Sequence, residues 1–461
     1  MINDMTKGDP LKLIILFSVP LLIGNIFQQL YNIADIVIVG RTLGMNALAA
    51  VGAISPIFFF LMFVVVGLTN GFAVITGQRF GAKDTEGVRR SVTVSTVLST
   101  AFTIIFSLAL AFLMHKVLGW MNVPKVIYKD AYWYIQIVVA GLIIVNVYNL
   151  LASIVRALGD SKTPLYFLIF ASILNIFLAL LFILKFGWGV PGSAVAVVIS
   201  QGVSAIMCII YVKARFPILH LKKEDWQFAL STQSIPFALE HLKVGIPMSL
   251  QFSILGIGIL IIQSVCNTFG PDVIAAFTAA LRIEQIATLP MISFGVALAA
   301  YTAQNYGANN FTRIKTGVNQ SSLINISLSL IMAFIIHFYG SNIVGIFIGK
   351  SETHIISIAK SYLWISTIFY FFLGQIFIFR NALQGMGEAL LPLLASIAEL
   401  LVRSFAAVYL AVKFSYFGIF YAGPIAWVSA ATILAVGYYT NLLKIVKKAK
   451  SNYNLQKRFT T

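Results

Sequence analysis

Acidic residues are scarce in this chain: 15 Asp and Glu among 461 residues, against 32 Lys and Arg, with charged residues making up only 10%. Soluble domains carry about 25%, so a water-soluble globular fold is excluded. Cysteine is almost absent. Cys208 and Cys266 both lie in apolar stretches and offer no disulfide framework. The five histidines (His115, His220, His241, His337, His354) are far apart and form no HExxH pair, and no nucleophile elbow is present. The segment from Gly345 to Ser351 resembles a phosphate-binding loop but is one residue short between its glycines. ATP hydrolysis therefore has no support, and neither an enzymatic site nor a cofactor is expected. No cleavable signal peptide is expected either, because the first apolar run, 11–39, is too long for one.

What the chain has in excess is apolar sequence, 59% of all residues. Twelve segments are long enough to cross a bilayer, which needs ~20 residues. They cover 11–39, 47–77, 91–114, 131–155, 164–184, 191–212, 240–268, 273–303, 317–339, 355–379, 389–412 and 418–443. An all-α, multi-pass integral membrane protein is expected. The net charge of +17 fits the basic loops of such a protein and gives no reason to expect a nucleic-acid partner. Alternate connections carry 22 basic residues, Arg380 among them, and the other side carries 8, while Arg282 and Arg403 lie inside spans. That asymmetry predicts both termini in the cytoplasm of a cell inner or plasma membrane.

The sequence also repeats itself. Thr76-Gly77-Gln78-Arg79-Phe80-Gly81-Ala82-Lys83 returns in the second half as Thr302-Ala303-Gln304-Asn305-Tyr306-Gly307-Ala308-Asn309. Gly44 pairs with Gly270 at the same offset. Pro20 pairs with Pro247, and Gly159 with Gly387, at offsets that differ from it by no more than a position or two. Steady offsets mark an internal duplication. Six spans per half is an even number, so the halves are parallel repeats. The expected division is an N-lobe over 1–212, a connection over 213–239, a C-lobe over 240–443 and a basic tail over 444–461 that sits against anionic lipid.

Three acids fall deep inside spans: Asp35, Glu284 and Glu399. Glu399 has Arg403 four residues on, the favourable order for an intrahelical pair. Glu284 and Arg282 are two apart and do not face each other on a helix, so Glu284 needs a partner from another helix or a cavity. Asp35 has no basic residue within five positions. It shares one helical face with Asn25, Gln28 and Asn32. An uncompensated acid in a span is a functional candidate: it can carry a proton, or hold a metal ion together with Asn and Gln oxygens. Asn175 in the fifth span, three residues after Ser172, is a second candidate, or else a helix–helix hydrogen bond. Asn25, Glu284, Arg282, Glu399 and Arg403 are candidates for cavity lining or lobe coupling.

The run from Pro20 through Tyr31-Asn32-Ile33-Ala34-Asp35 to Arg41 resembles the first helix of the multidrug and toxic compound extrusion (MATE) transporters. So do Gln78 to Lys83, Arg156-Ala157-Leu158-Gly159-Asp160 and Asn175, with the bacterial DinF-like and MepA-like branch nearest. The resemblance implies twelve helices in two six-helix lobes around a central cavity. It implies export of drug-like organic cations and other amphipathic compounds by antiport against H⁺ or Na⁺. It places Asp35 and Asn175 in an N-lobe cation site, with Asp35 the metal ligand if Na⁺ is the ion. Two departures stand out. Many relatives carry an acid four residues after that Asn, where this chain has Ala179, and spans seven and ten lack the acids of NorM-like members. A single carboxylate leans the expectation toward H⁺. Rival readings are a flippase for lipid-linked precursors, disfavoured by so few deep bases, and a membrane enzyme or channel. A monomer in the lipid bilayer is expected.

Overall fold

The computed structural model describes residues 4–349 and 351–460. Lys350 and the side chains of Lys447, Lys448, Lys450, Lys457 and Arg458 in the basic tail lie outside the described residues. The order of helices is α1 (Pro10–Leu43), α2 (Met45–Gly81), α3 (Thr85–Trp120), α4 (Lys125–Ala157), α5 (Lys162–Leu180), α6 (Gly189–Arg215), α7 (Lys223–Leu230), α8 (Ile235–Cys266), α9 (Pro271–Gly307), α10 (Phe311–Ile348), α11 (Thr353–Ile368), α12 (Tyr370–Gly385), α13 (Leu390–Phe414) and α14 (Tyr416–Thr460). No strand occurs among the described residues. Among the described residues eleven helices are long and apolar enough to cross a membrane, and α11 with α12, bent by 52° at Phe369, makes a twelfth when the pair is taken as one span. Gly345 to Ile348 end α10, so these residues form helix and no phosphate-cradling loop.

The internal repeat is written into the backbone. Lys83 and Asn309, which occupy the same place in the two copies, take left-handed φ values of 59° and 58° just after α2 and α9. Gly44 and Gly270 precede those two helices with φ of 84° and 92°, a region in which any side chain would be strained. Asp84 then caps α3, accepting from the Gly87 N–H at 2.8 Å.

Two compact units emerge, one built on Leu16–Gly256 and the other on Met5–Ile15 with Ile257–Thr461. The first therefore contains most of α1, all of α2–α7 and α8 as far as Gly256. Close backbone packing explains that last inclusion. A Cβ on Gly71 of α2 would stand 2.5 Å from Gly245 Cα, and one on Gly67 would stand 2.6 Å from Ser249 Cα. Small residues give membrane helices this intimacy where lipid removes the usual apolar driving force. A buried polar chain adds to it. His241 Nδ1 meets the Phe237 carbonyl at 2.8 Å, Nε2 meets Ser91 Oγ at 2.9 Å, and Ser91 meets Thr76 Oγ1 at 2.8 Å. In the second unit the stretch before α1 is held in like manner. Met5 N–H donates to Gln304 Oε1 at 2.8 Å, Asn305 Nδ2 donates to the Met5 carbonyl at 3.1 Å, and Arg313 donates to the Gly8 carbonyl at 2.9 Å.

Each half also ties its third span to its fourth with a buried asparagine. In the first, Asn146 of α4 donates to Ser99 of α3 at 3.2 Å. In the second, Asn325 of α10 donates to the Gly374 carbonyl of α12 at 2.9 Å. Asn325 follows Ser99 by the offset that joins Gly44 to Gly270, and Gly374 follows Asn146 by the offset that joins Gly159 to Gly387. The amide has therefore changed helix between the repeats.

Candidate functional site

The polar face of α1 does not act as one strip. Asp35 is buried, 9% exposed, while Asn25 and Asn32 are half-buried and Gln28 is exposed. The Asp35 carboxylate accepts from Ser193 Oγ of α6 at 2.8 Å. Tyr31, one turn earlier on α1, and Tyr134 of α4 lie close enough to feel its charge. No basic group pairs with Asp35 among the described residues. Its surroundings are hydroxyls and hydrocarbon, which stabilise a bare carboxylate poorly and leave room for a proton or a cation to neutralise it.

Asn175 is 1% exposed, and among the described residues neither its Oδ1 nor its Nδ2 has a hydrogen-bond partner. An orphaned buried amide is costly, about 1–3 kcal/mol, and no helix–helix bond from this side chain is seen among the described residues. Its depth matches that of the acid. Gly24 of α1 packs on Leu165 and Leu168 of α5, where a Cβ would come within 3.5 and 3.6 Å of their methyls. The first and fifth spans run in the same direction. Counting on from that contact at ~1.5 Å per residue brings Asn175 level with Tyr31 to Ala34, within a turn of Asp35. Among the described residues no three His, Cys, Asp or Glu side chains gather as a metal site. A monovalent cation here would draw on carboxylate, hydroxyl and amide oxygens instead.

The second unit ion-pairs one of its deep acids and leaves the other on a hydroxyl. Glu399 accepts from Arg403 one turn on and from Arg380 of α12 at 3.4 Å. Glu284 of α9 accepts from the Tyr362 hydroxyl of α11 at 3.0 Å. Ser366 and Tyr370, on either side of the break at Phe369, are buried within reach of its charge. Arg282 is exposed and takes no part. Arg380 was counted from sequence among the connections, yet it is a deep base, 7% exposed. It belongs to a helix that runs on to Gly385, and Glu399 neutralises it. Arg156 is likewise inside α4, donating to Ser153 Oγ at 2.9 Å.

Tyr134 and Tyr362 are separated by the same spacing that joins Gly159 to Gly387. They are repeat-related tyrosines, each beside an acid that a different helix supplies. That spacing was a readable signal. Ser193, one serine among many in the chain, carried none.

The MatE family model matches residues 20–181 and again 247–410, two copies in one chain that start on the repeat-related Pro20 and Pro247. The chain belongs to the MatE family. The probable multidrug resistance protein YpnP of Bacillus subtilis is 32% identical over 84% of this chain and 85% of its own length. YoeA of the same organism, also a probable multidrug resistance protein, is 27% identical over 92% of each. Among solved structures, a MOP superfamily transporter from Pyrococcus furiosus, described as having a binding pocket of reversed polarity, superposes with a TM-score of 0.87 at 25% identity over 96% of this chain and 98% of that one. A MATE structure in a bent conformation gives 0.88 at 25% identity, over 97% and 98%. This MatE chain is thus a multi-pass membrane transporter with the family's twelve-span fold.

Proposed function

We propose that this MatE protein is a secondary active multidrug efflux antiporter, exporting amphipathic organic cations in exchange for H⁺ or Na⁺, with Asp35 as the exchange site. The observation that carries this reading is the burial of Asp35 among neutral partners only. A carboxylate in that setting is stable when something positive neutralises it, and loading or unloading it changes how α1 packs on α4 and α6. Ser193 orients the carboxylate, and Asn175 supplies a spare amide oxygen that a bound cation would complete. Loading from one side of the membrane and release on the other, with the substrate bound in the unloaded interval, gives exchange. Relatives are named for multidrug resistance and multidrug export, which supports drug-like substrates here. Both termini lie on the cytoplasmic side in this scheme, and no chemical conversion of the substrate is involved.

The test is Asp35→Asn protein in liposomes, with pH and Na⁺ gradients imposed separately. Substrate efflux in the variant falls to the passive leak under either gradient, and whichever gradient drives the parent protein identifies the ion. Gradient-driven efflux at the parent rate in Asp35→Asn would overturn the assignment.

A further inference from the structure

The connection between the sixth and seventh spans contains a feature that exchange at Asp35 does not use. The short helix α7 is clamped by one face only. Arg89 Nε of α3 pairs with Asp225 at 3.0 Å, Thr93 Oγ1 donates to the Asp225 carbonyl at 3.2 Å, and the Arg90 guanidinium lies 4.4 Å from the centre of the Phe228 ring. Arg79 of α2 binds Glu240 at 2.8 Å and stacks over Phe237 at 4.9 Å. Three arginines are thus committed to holding this strap in place. Asp225 and Ala229 face inward.

An adjoining face is exposed. Trp226 and Leu230, one turn apart, are 37% and 75% exposed. Ile235 and Leu239 at the start of α8 continue the exposed apolar stripe, and it runs on through Ile246 and Leu250 along the span itself. Close by in sequence, Lys213 and Arg215 at the end of α6 and Lys222 and Lys223 at the start of α7 are all exposed. None of the four pairs with an acid among the described residues. Apolar side chains that continue onto the exposed side of a span, with exposed, uncommitted cations close by in sequence, match the boundary between acyl chains and headgroups.

We propose that α7 is an interfacial helix that binds anionic phospholipid headgroups, with Trp226 and Leu230 seated at the acyl boundary and Lys213, Arg215, Lys222 and Lys223 on the phosphates. Charge complementarity selects this occupant. A protein partner would leave the continuity with the span unexplained, and a zwitterionic surface would leave four cations without counter-charge.

Tryptophan quenching by brominated lipid reads the contact directly. The full-length protein is reconstituted in vesicles of phosphatidylcholine and phosphatidylglycerol, with one lipid or the other brominated. The Trp226 signal is the difference between the parent protein and Trp226→Phe. Brominated phosphatidylglycerol quenches it more strongly than brominated phosphatidylcholine, and high salt weakens the preference. Replacing all four cations by Gln removes the preference, with each replacement lowering it by up to about fivefold. These side chains are exposed and unpaired, so the helical circular dichroism of the variant stays unchanged. Lys125→Gln with Lys129→Gln, two exposed lysines at the start of α4, leaves the preference intact. Trp226 that neither lipid quenches, or that both quench equally before and after the four replacements, overturns the proposal. Because no readout involves Asp35, a failure here leaves the exchange reading standing.

Discussion

Asp35 in the first unit and Glu399 in the second are both deep carboxylates, yet one is left bare and the other is surrounded. Asp35 has a serine hydroxyl, while Glu399 has two guanidinium groups. A charge with fixed partners is part of the scaffold, because removing it strands those partners. A charge without them can be removed without stranding a counter-charge. Glu284 stands between these two cases, held by a tyrosine hydroxyl at 3.0 Å and by no arginine ion pair among the described residues.

The sharpest way to break this comparison is to remove each charge and measure stability. Glu399→Gln leaves Arg380 and Arg403 without their shared carboxylate, and the expected loss is about 3–5 kcal/mol, seen as a large drop in melting temperature or a failure to purify. Asp35→Asn is expected to melt at or near the parent temperature, since it gives up no more than one hydrogen bond of about 1 kcal/mol and sheds an unpaired charge. Equal losses in the two variants would erase the distinction. Next comes Tyr362→Phe, which deprives Glu284 of its donor. A loss of about 1–3 kcal/mol is expected, read by thermal unfolding in detergent. Gly71→Ala, which drives a Cβ into the Gly245 backbone, costs about the same, roughly 1–3 kcal/mol, through overpacking. The smallest effects belong to Asn146→Ala and Asn325→Ala. Each removes one interhelical bond, on average worth roughly 0.6 kcal/mol in a membrane, and the two losses should match if the units are built alike.

Much of this was legible before any fold was in hand. Span positions follow from apolar run length, and the repeat follows from motifs whose turn residues need special backbone angles. The Glu399–Arg403 pair follows from helical spacing. Asp35 stood out because no base lies near it in sequence, and none pairs with it across helices among the described residues. Three things resisted. Arg380 looked like a loop residue because basic residues gather at span ends, and only the path of α12 shows it turned inward. Gln28 shares a helical face with Asp35 by spacing but is exposed, since a long helical face does not meet one neighbour along its whole length. Ser193 contributes a single hydroxyl from five helices away, and nothing in its local sequence distinguishes it.

The asparagine that crosses from α4 in one half to α10 in the other carries a lesson for comparing the halves. What duplication preserved is a joint that needs one amide and one small neighbour, and either side can provide either piece. Superposing the repeats column by column would score both positions as mismatches and miss the joint altogether. The bookkeeping has to be done on pairs, and a search for further matched features in this transporter should ask which contacts recur, whichever helix happens to supply the atoms.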